Sequence, residues 1–309
     1  MSSLKLIFMG SPEFALPSLR QFQQSRHTVQ AVVSGPDKKR GRGGKKTPTP
    51  VKALALDLGF PVIEADSMKA PGLADRLRSY QPDLFVVVAF KILPPELLEV
   101  PALGAVNLHA SRLPEFRGAA PIHHAVMQGK KETGCTIFRL NAGVDTGGII
   151  SQTTTTIGPD ETTGEVYERL MNQGAAALTE AVDAIAEGRA TYTPQDDAKA
   201  SKAPKLFEED CRLRFDQPAA QVHNHIRGLS PFPAAFAFLD NKKIKLLRSR
   251  IEDEKPHDKP PGTLESDKQR AFLYCQPGRL ELADIKYEGR RQMSAADFLR
   301  GYQGSARLM

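Results

Sequence analysis

Asp83-Leu84-Phe85-Val86-Val87-Val88-Ala89 is the stretch on which the fold turns. Its apolar residues run without interruption over a strand's length and are rich in valine, so it reads as a strand buried on both faces at the centre of a parallel sheet. The pattern on either side agrees. Upstream, Leu4 to Met9 reads as a strand stopped by Gly10-Ser11-Pro12, Glu13 to Phe22 as a helix, and Val29 to Val33 as a second strand. Gly35 to Pro50 reads as a long loop, Val51 to Leu58 as a helix, Pro61 to Ile63 as a short strand and Pro71 to Tyr80 as a helix. Strands alternating with helices imply an open, mostly parallel α/β sheet. The first turn carries a single glycine rather than G-x-G-x-x-G, which removes the main support for nicotinamide chemistry.

Downstream, Phe90-Lys91-Ile92-Leu93-Pro94 leaves the carboxyl end of the central strand, Glu96 to Glu99 reads as a short helix, and Gly104 to His109 as the next strand. Ile122 to Met127 and Glu161 to Ala186 carry helical spacing, and Gly134 to Leu140 and Gly148 to Thr156 read as strands. Residues 189–206 are polar and contain Pro194 and Pro204, the composition of a linker. Beyond them the pattern becomes short β-like runs separated by turn signals, as in a small OB-like β-barrel. The expected domains are therefore 1–188, Rossmann-like, and 207–309, barrel-like, joined by 189–206.

The chain has 309 residues, 40% hydrophobic and 25% charged, the composition of a water-soluble globular protein of about two domains. No apolar run reaches membrane length and the start lacks a signal-peptide pattern, so a cytoplasmic protein with no membrane association is expected. Cys135, Cys211 and Cys275 are odd in number and lack CxxC spacing, which argues against a disulfide framework and a zinc site. No metal is expected, and a monomer is expected because no spare apolar surface is evident. The net charge of +6 favours an anionic partner.

Asn107 and His109 fall on one face at the carboxyl end of their strand, where open α/β sheets build their sites. An imidazole that titrates near neutrality beside an amide that can donate to an oxyanion suits acyl transfer to a substrate that brings its own nucleophile. Asp145, in the glycine-bounded turn Asn141 to Gly148, is the third candidate, since a carboxylate beside an imidazole fixes its tautomer. On residue type alone, Asp145 serves equally as a turn former, His109 as a satisfied strand-end histidine and Asn107 as a cap. Ser111 lacks a nucleophile elbow and reads as a loop hydroxyl, and His123 and His124 lack carboxylates at metal spacing.

A second constellation is basic and glycine-rich: Lys38, Lys39, Arg40, Arg42, Lys45, Lys46 and, further on, Lys52. A solvated charge run is the bland reading; a loop that orders against phosphates is the functional one. Lys242, Lys243, Lys245, Arg248 and Arg250 in the second domain could extend that surface.

These residues together resemble the methionyl-tRNA formyltransferases. The resemblance rests on Ile7-Phe8-Met9-Gly10-Ser11-Pro12-Glu13-Phe14-Ala15, on Gly41-Arg42-Gly43 with Thr49-Pro50-Val51-Lys52, and on Val87 to Pro94. It continues through Asn107 to Pro114, Arg117-Gly118-Ala119-Ala120-Pro121, Gly143 to Gly147 and Ile226 to Pro231. It implies that Asn107, His109 and Asp145 are catalytic and that 10-formyltetrahydrofolate is the donor. It also implies that Val88, Ala89, Phe90, Ile92, Leu93, Ser111, Leu113 and Pro114 line the folate side, and that the basic loop meets initiator methionyl-tRNA. Two stretches depart from the family pattern: Arg112 stands where leucine is usual, and Ala89 to Pro94 is shortened. The competing readings are a formyltransferase with a small acceptor, such as glycinamide ribonucleotide or an amino sugar nucleotide, and a non-catalytic tRNA-binding module.

Overall fold

The computed structural model describes residues 3–40, 44–267, 269–304 and 306–309, without the side chains of Lys39, Arg40 and Lys45. In chain order its elements begin with β1 (Lys5–Gly10), α1 (Leu16–Gln24), β2 (Thr28–Ser34), β3 (Lys38–Arg40), β4 (Lys45–Thr47) and α2 (Pro50–Asp57). Next come β5 (Val62–Glu64), α3 (Leu73–Arg78), β6 (Leu84–Val88), α4 (Pro95–Leu98) and β7 (Ala105–His109). These are followed by β8 (Arg117–Gly118), α5 (Pro121–Met127), β9 (Glu132–Thr133), β10 (Thr136–Arg139), β11 (Ile149–Gln152), β12 (Thr155–Thr156) and α6 (Thr163–Ala186). The chain ends with β13 (Lys202–Ala203), α7 (Ala219–Leu229), β14 (Ala235–Leu239), β15 (Lys242–Asp253), β16 (Leu264–Ser266), β17 (Ala271–Tyr274), β18 (Arg279–Tyr287), β19 (Met293–Ser294) and α8 (Ala295–Arg300).

The chain separates into two compact units. The first comprises Met1–Gly118, Gly134–Thr155 and Glu168–Lys202; the second comprises Ala119–Thr133, Thr156–Tyr167 and Ala203–Met309. Two segments that the sequence pattern assigns to the first domain, 119–133 and 156–167, thus cluster with the second.

The first unit is a mostly parallel sheet in the order β11-β10-β7-β6-β1-β2-β5, with β10 antiparallel to β7 and β11 antiparallel to β10. The valine run occupies the middle strand, β6, and all five of its residues are buried. Each such side chain gains about 1.5–3 kcal/mol by leaving water, which is why this strand takes the position shielded on both faces. One face of the sheet packs Ile7, Met9, Phe85, Val87 and Ala105 against Leu73 and Leu77 of α3 and Leu97 of α4. On the other, α6 approaches β7 at Gly174, where a Cβ would stand 2.8 Å from a methyl of Leu108. Glycine there lets the helix axis sit close to the sheet. The outer edge of β11 is covered by Thr193, which exchanges two main-chain hydrogen bonds of 2.8 Å with Ile149.

The segment read as a loop from Gly35 to Pro50 contains an antiparallel hairpin, with Lys38 opposite Thr47 and Arg40 opposite Lys45. Sequence periodicity hides it because each strand is three residues long and polar at every position, so no apolar alternation marks it.

The second unit carries a six-stranded antiparallel sheet whose main path is β14-β15-β18-β17-β16, with β19 beside β18. Its core joins Val222, Ile226 and Leu229 of α7 to Leu246, Leu273, Leu280 and Phe298. Among the described residues no helix is long and apolar enough to cross a membrane, and no group of three His, Cys, Asp or Glu is placed to hold a metal ion.

Candidate active site

Strand β7 presents Ala105, Asn107 and His109 on one face by its period of two. Asn107 lies between Val87 of β6 and Phe138 of β10, and His109 lies opposite Thr136. The strand therefore delivers both side chains to the carboxyl end of the sheet next to its central strand. The Asn107 amide is half-buried and, among the described residues, has no hydrogen-bond partner.

The His109 ring is buried, and its Nε2 lies 2.9 Å from the Phe116 carbonyl oxygen. A carbonyl only accepts, so Nε2 carries the proton and the neutral ring turns its lone pair outward at Nδ1. That Nδ1 is 3.7 Å from Asp145 Oδ2, beyond a direct hydrogen bond. Asp145 Oδ2 accepts instead from the Gly118 N–H at 2.8 Å. Burial pushes the His109 pKa below the ordinary imidazole value, against the opposing pull of the Asp145 charge and the Phe116 carbonyl. The two acceptors stand too close to admit an atom between them, but a single donor placed beside the pair, such as a substrate amine, can reach both.

Both supports of this pair sit in unusual backbone. Phe116 has φ 61° and Asp145 φ 54°, left-handed values that a non-glycine residue keeps only where its surroundings hold it. Phe116 is pinned by its N–H, which donates to Ser201 Oγ at 2.8 Å. The Asp145 turn is pinned by Gln195, whose Nε2 donates to the carbonyls of Asp145 at 2.9 Å and Gly147 at 2.8 Å. Gly147 has no room for a side chain: a Cβ would stand 1.6 Å from the Arg139 carbonyl oxygen.

Asn107 and Asp145 close one end of a pocket lined by Phe90, Ile92, Leu93, Leu140 and Val144. The main chain of 90–93, which lines the pocket, belongs to no strand or helix. Apolar walls with Lys91, Asn107, Asn141 and Asp145 among the lining suit a flat heteroaromatic ring with a polar edge.

Of the remaining sequence candidates, Val88 is buried in β6 and Ala89 is exposed, both outside this lining. Ser111, Leu113 and Pro114 form the loop under His109 rather than the pocket wall. The Ser111 hydroxyl donates to the Glu115 carbonyl at 2.6 Å, and the Leu113 N–H to Thr136 Oγ1 at 3.0 Å. Cys135 is no nucleophile, since burial pushes its thiol up to about 12.

Within the basic hairpin Lys38 and Lys46 are exposed. Lys52 is committed to Asp37 and Glu64, at 2.7 Å each. Arg42 and the side chains of Lys39, Arg40 and Lys45 lie outside the described residues. In the second unit Arg248 pairs with Glu165 at 2.7 Å, and the His123 and His124 rings donate to the carbonyls of Phe232 at 3.1 Å and Pro204 at 3.0 Å. Those two histidines are therefore held as packing groups.

In the sequence pattern Arg117 falls within a motif but is given no role, and Phe116 and Gln195 are passed over. The signal for Gln195 was weak: Tyr192-Thr193 before Pro194 is the chemistry of an edge strand inside a stretch otherwise polar enough to be a linker.

Residues 4–182 match the family model described as formyl transferase, and residues 205–303 match the formyl transferase C-terminal domain. A methionyl-tRNA formyltransferase of Porphyromonas gingivalis is 41% identical over 309 residues, covering 97% of this chain and 96% of that protein. One from Chlorobium luteolum is 44% identical over 305 residues, covering 97% of each. Among solved structures, an N-formyltransferase from Helicobacter canadensis, in complex with folinic acid and dTDP-3-aminofucose, has a TM-score of 0.69 at 18% identity. That match covers 90% of this chain and 98% of that one. HypX from Aquifex aeolicus, in complex with tetrahydrofolic acid, has a TM-score of 0.66 at 16% identity and covers 100% of this chain and 51% of that one. The two structural likenesses establish a shared fold; the sequence matches, across both units and nearly the full length of each relative, place this chain in the methionyl-tRNA formyltransferase family.

Proposed function

We propose that the chain transfers the formyl group of 10-formyltetrahydrofolate to the α-amino group of methionyl-initiator tRNA, acting as a cytoplasmic monomer. The observation that carries this reading is the pairing of His109 Nδ1 with Asp145 Oδ2, 3.7 Å apart, at the same strand end as the Asn107 amide, which has no hydrogen-bond partner among the described residues. The pair accepts an amine from one side and faces a pocket with folate-like chemistry on the other. The reaction needs no nucleophilic side chain, because the acceptor brings its own nitrogen.

The methionyl nitrogen bonds to the formyl carbon, and negative charge builds on the formyl oxygen. The Asn107 amide donates to that oxygen. His109, neutral because it is buried, takes the amine's proton at Nδ1; the imidazolium is then held between the Asp145 carboxylate and the Phe116 carbonyl. The bond from the formyl carbon to N10 breaks, and the same proton passes to N10, leaving tetrahydrofolate. The pocket bounded by Phe90–Leu93 and Leu140–Asp145 receives the pterin, and Lys38, Lys46 and the adjoining basic residues, Arg42 among them, receive tRNA phosphates. Lys52 has a separate task, holding Asp37 and Glu64.

Purified protein supplied with 10-formyltetrahydrofolate and, in parallel reactions, methionyl-tRNA, glycinamide ribonucleotide and an amino sugar nucleotide tests this reading. Tetrahydrofolate should form with methionyl-tRNA. Turnover confined to a small acceptor would overturn the proposal.

A further inference from the structure

The segment read as a linker reaches both halves of the catalytic pair. Arg117 follows the residue that holds His109; its guanidinium donates to Gln195 Oε1 at 2.7 and 3.1 Å and to Asp197 Oδ1 at 2.7 Å. The Gln195 amide nitrogen passes the grip on to the carbonyls of Asp145 and Gly147. Nearby, Ser201 takes the Phe116 N–H on its hydroxyl and the Arg117 N–H on its carbonyl, at 2.8 and 2.9 Å, while its own N–H donates to the Pro114 carbonyl at 3.2 Å. The 193–201 strap is therefore hydrogen-bonded to the loop under His109 and to the turn carrying Asp145.

We propose that Gln195, locked by Arg117, is a positioning residue that sets the distance between Asp145 and His109. A side-chain amide supplies two donor hydrogens and one acceptor oxygen in a plane, and here those three positions are matched by two carbonyls and one guanidinium. Asp145 at φ 54° is held in a region that an aspartate tolerates but does not prefer. Release of its carbonyl lets the residue relax toward the extended region and swings the carboxylate away from His109 Nδ1. A carboxylate at position 195 would still accept from Arg117 but would turn an acceptor toward both carbonyls, so Gln195→Glu is not a conservative change.

This inference rests on the formyl-transfer reading above, and the experiment separates the two. Gln195→Met keeps the length of the side chain and deletes both donors. With methionyl-tRNA it should lower kcat by about 10²-fold, with KM for either substrate changed by no more than about twofold, as expected when a reacting group is displaced by roughly an ångström. In an Asp145→Asn background the same substitution should reduce the residual rate by less than about threefold, because what Gln195 positions is already disabled. A part that merely stabilises the unit gives losses that multiply. Arg117→Lys, which loosens the grip without removing Gln195, should show a smaller fall with the same dependence on Asp145, and it carries the test if Gln195→Met does not fold. A kcat within about twofold of wild type in both variants, or losses that multiply in full with Asp145→Asn, overturns the inference. Absence of wild-type turnover on methionyl-tRNA overturns the underlying function instead.

Discussion

His109 Nε2 donates to the Phe116 carbonyl at 2.9 Å, and this single bond decides what the histidine can do. It fixes the neutral tautomer and aims Nδ1 at the space before Asp145, so His109 enters the reaction as an acceptor of the amine's proton. An oxyanion contact from His109 is available only after it has been protonated.

The acidic limb of kcat should therefore lie below the ordinary imidazole value of about 6.5, since burial pushes the His109 pKa down and the neutral ring is the working form. The Asp145 charge pulls that pKa up, so Asp145→Asn removes an upward pull, and the limb should move to still lower pH while the plateau rate falls. A pH profile of single-turnover formylation measures both. A limb that moves to higher pH in Asp145→Asn would contradict the pull assigned to the Asp145 charge.

Asn107→Ala should cost about 10²- to 10³-fold in kcat, the usual effect of removing one oxyanion donor. The Asn107 side chain supports no other described residue, so the melting temperature should stay close to that of wild type. Binding of tRNA, followed by filter retention, should be unchanged; a loss confined to tRNA affinity would move Asn107 from chemistry to binding.

The described lysines Lys46 and Lys52 should divide by their partners, and Arg42 tests the same basic loop. Lys46→Ala and Arg42→Ala should weaken tRNA binding and reduce the steepness of its dependence on salt, by up to about one unit of log-log slope for each phosphate no longer neutralised. Lys52 is already neutralised by Asp37 and Glu64, so Lys52→Ala should leave the salt slope alone and lower the melting temperature. Wild-type salt slopes in both Lys46→Ala and Arg42→Ala would mean that the basic loop is an ordinary solvated surface.

Gly147→Ala places a methyl 1.6 Å from the Arg139 carbonyl oxygen, so the Asp145 turn must shift to admit it. The variant should lose at least about 1–3 kcal/mol of stability, measured by urea denaturation, and most of its turnover. Retention of both would show that the turn is free to rearrange without disturbing Asp145.

How far the sequence revealed this site depended on whether the information was local. The buried valine run announces the central strand because each of its residues reports the same environment, and the period of two then brings Asn107 and His109 together. The glycines around Asp145 mark a constrained turn. What hydrogen-bonds to that turn is not local: Gln195 and Ser201 are ordinary polar residues in a stretch whose composition resembles a linker, and only their long-range partners give them meaning. The Lys38–Arg40 and Lys45–Thr47 hairpin was hidden for the converse reason, since a run of polar residues without an apolar partner lacks the alternation that identifies a strand.

Competition in one vessel decides which acceptor the site serves: wild-type protein with labelled 10-formyltetrahydrofolate and equal concentrations of methionyl-initiator tRNA and an amino sugar nucleotide. The label should pass to the methionyl nitrogen in the first turnover, with none on the sugar amine, and Asn107→Ala should slow that transfer without redirecting it. Label appearing on the sugar amine while methionyl-tRNA remains unmodified would contradict the proposed function.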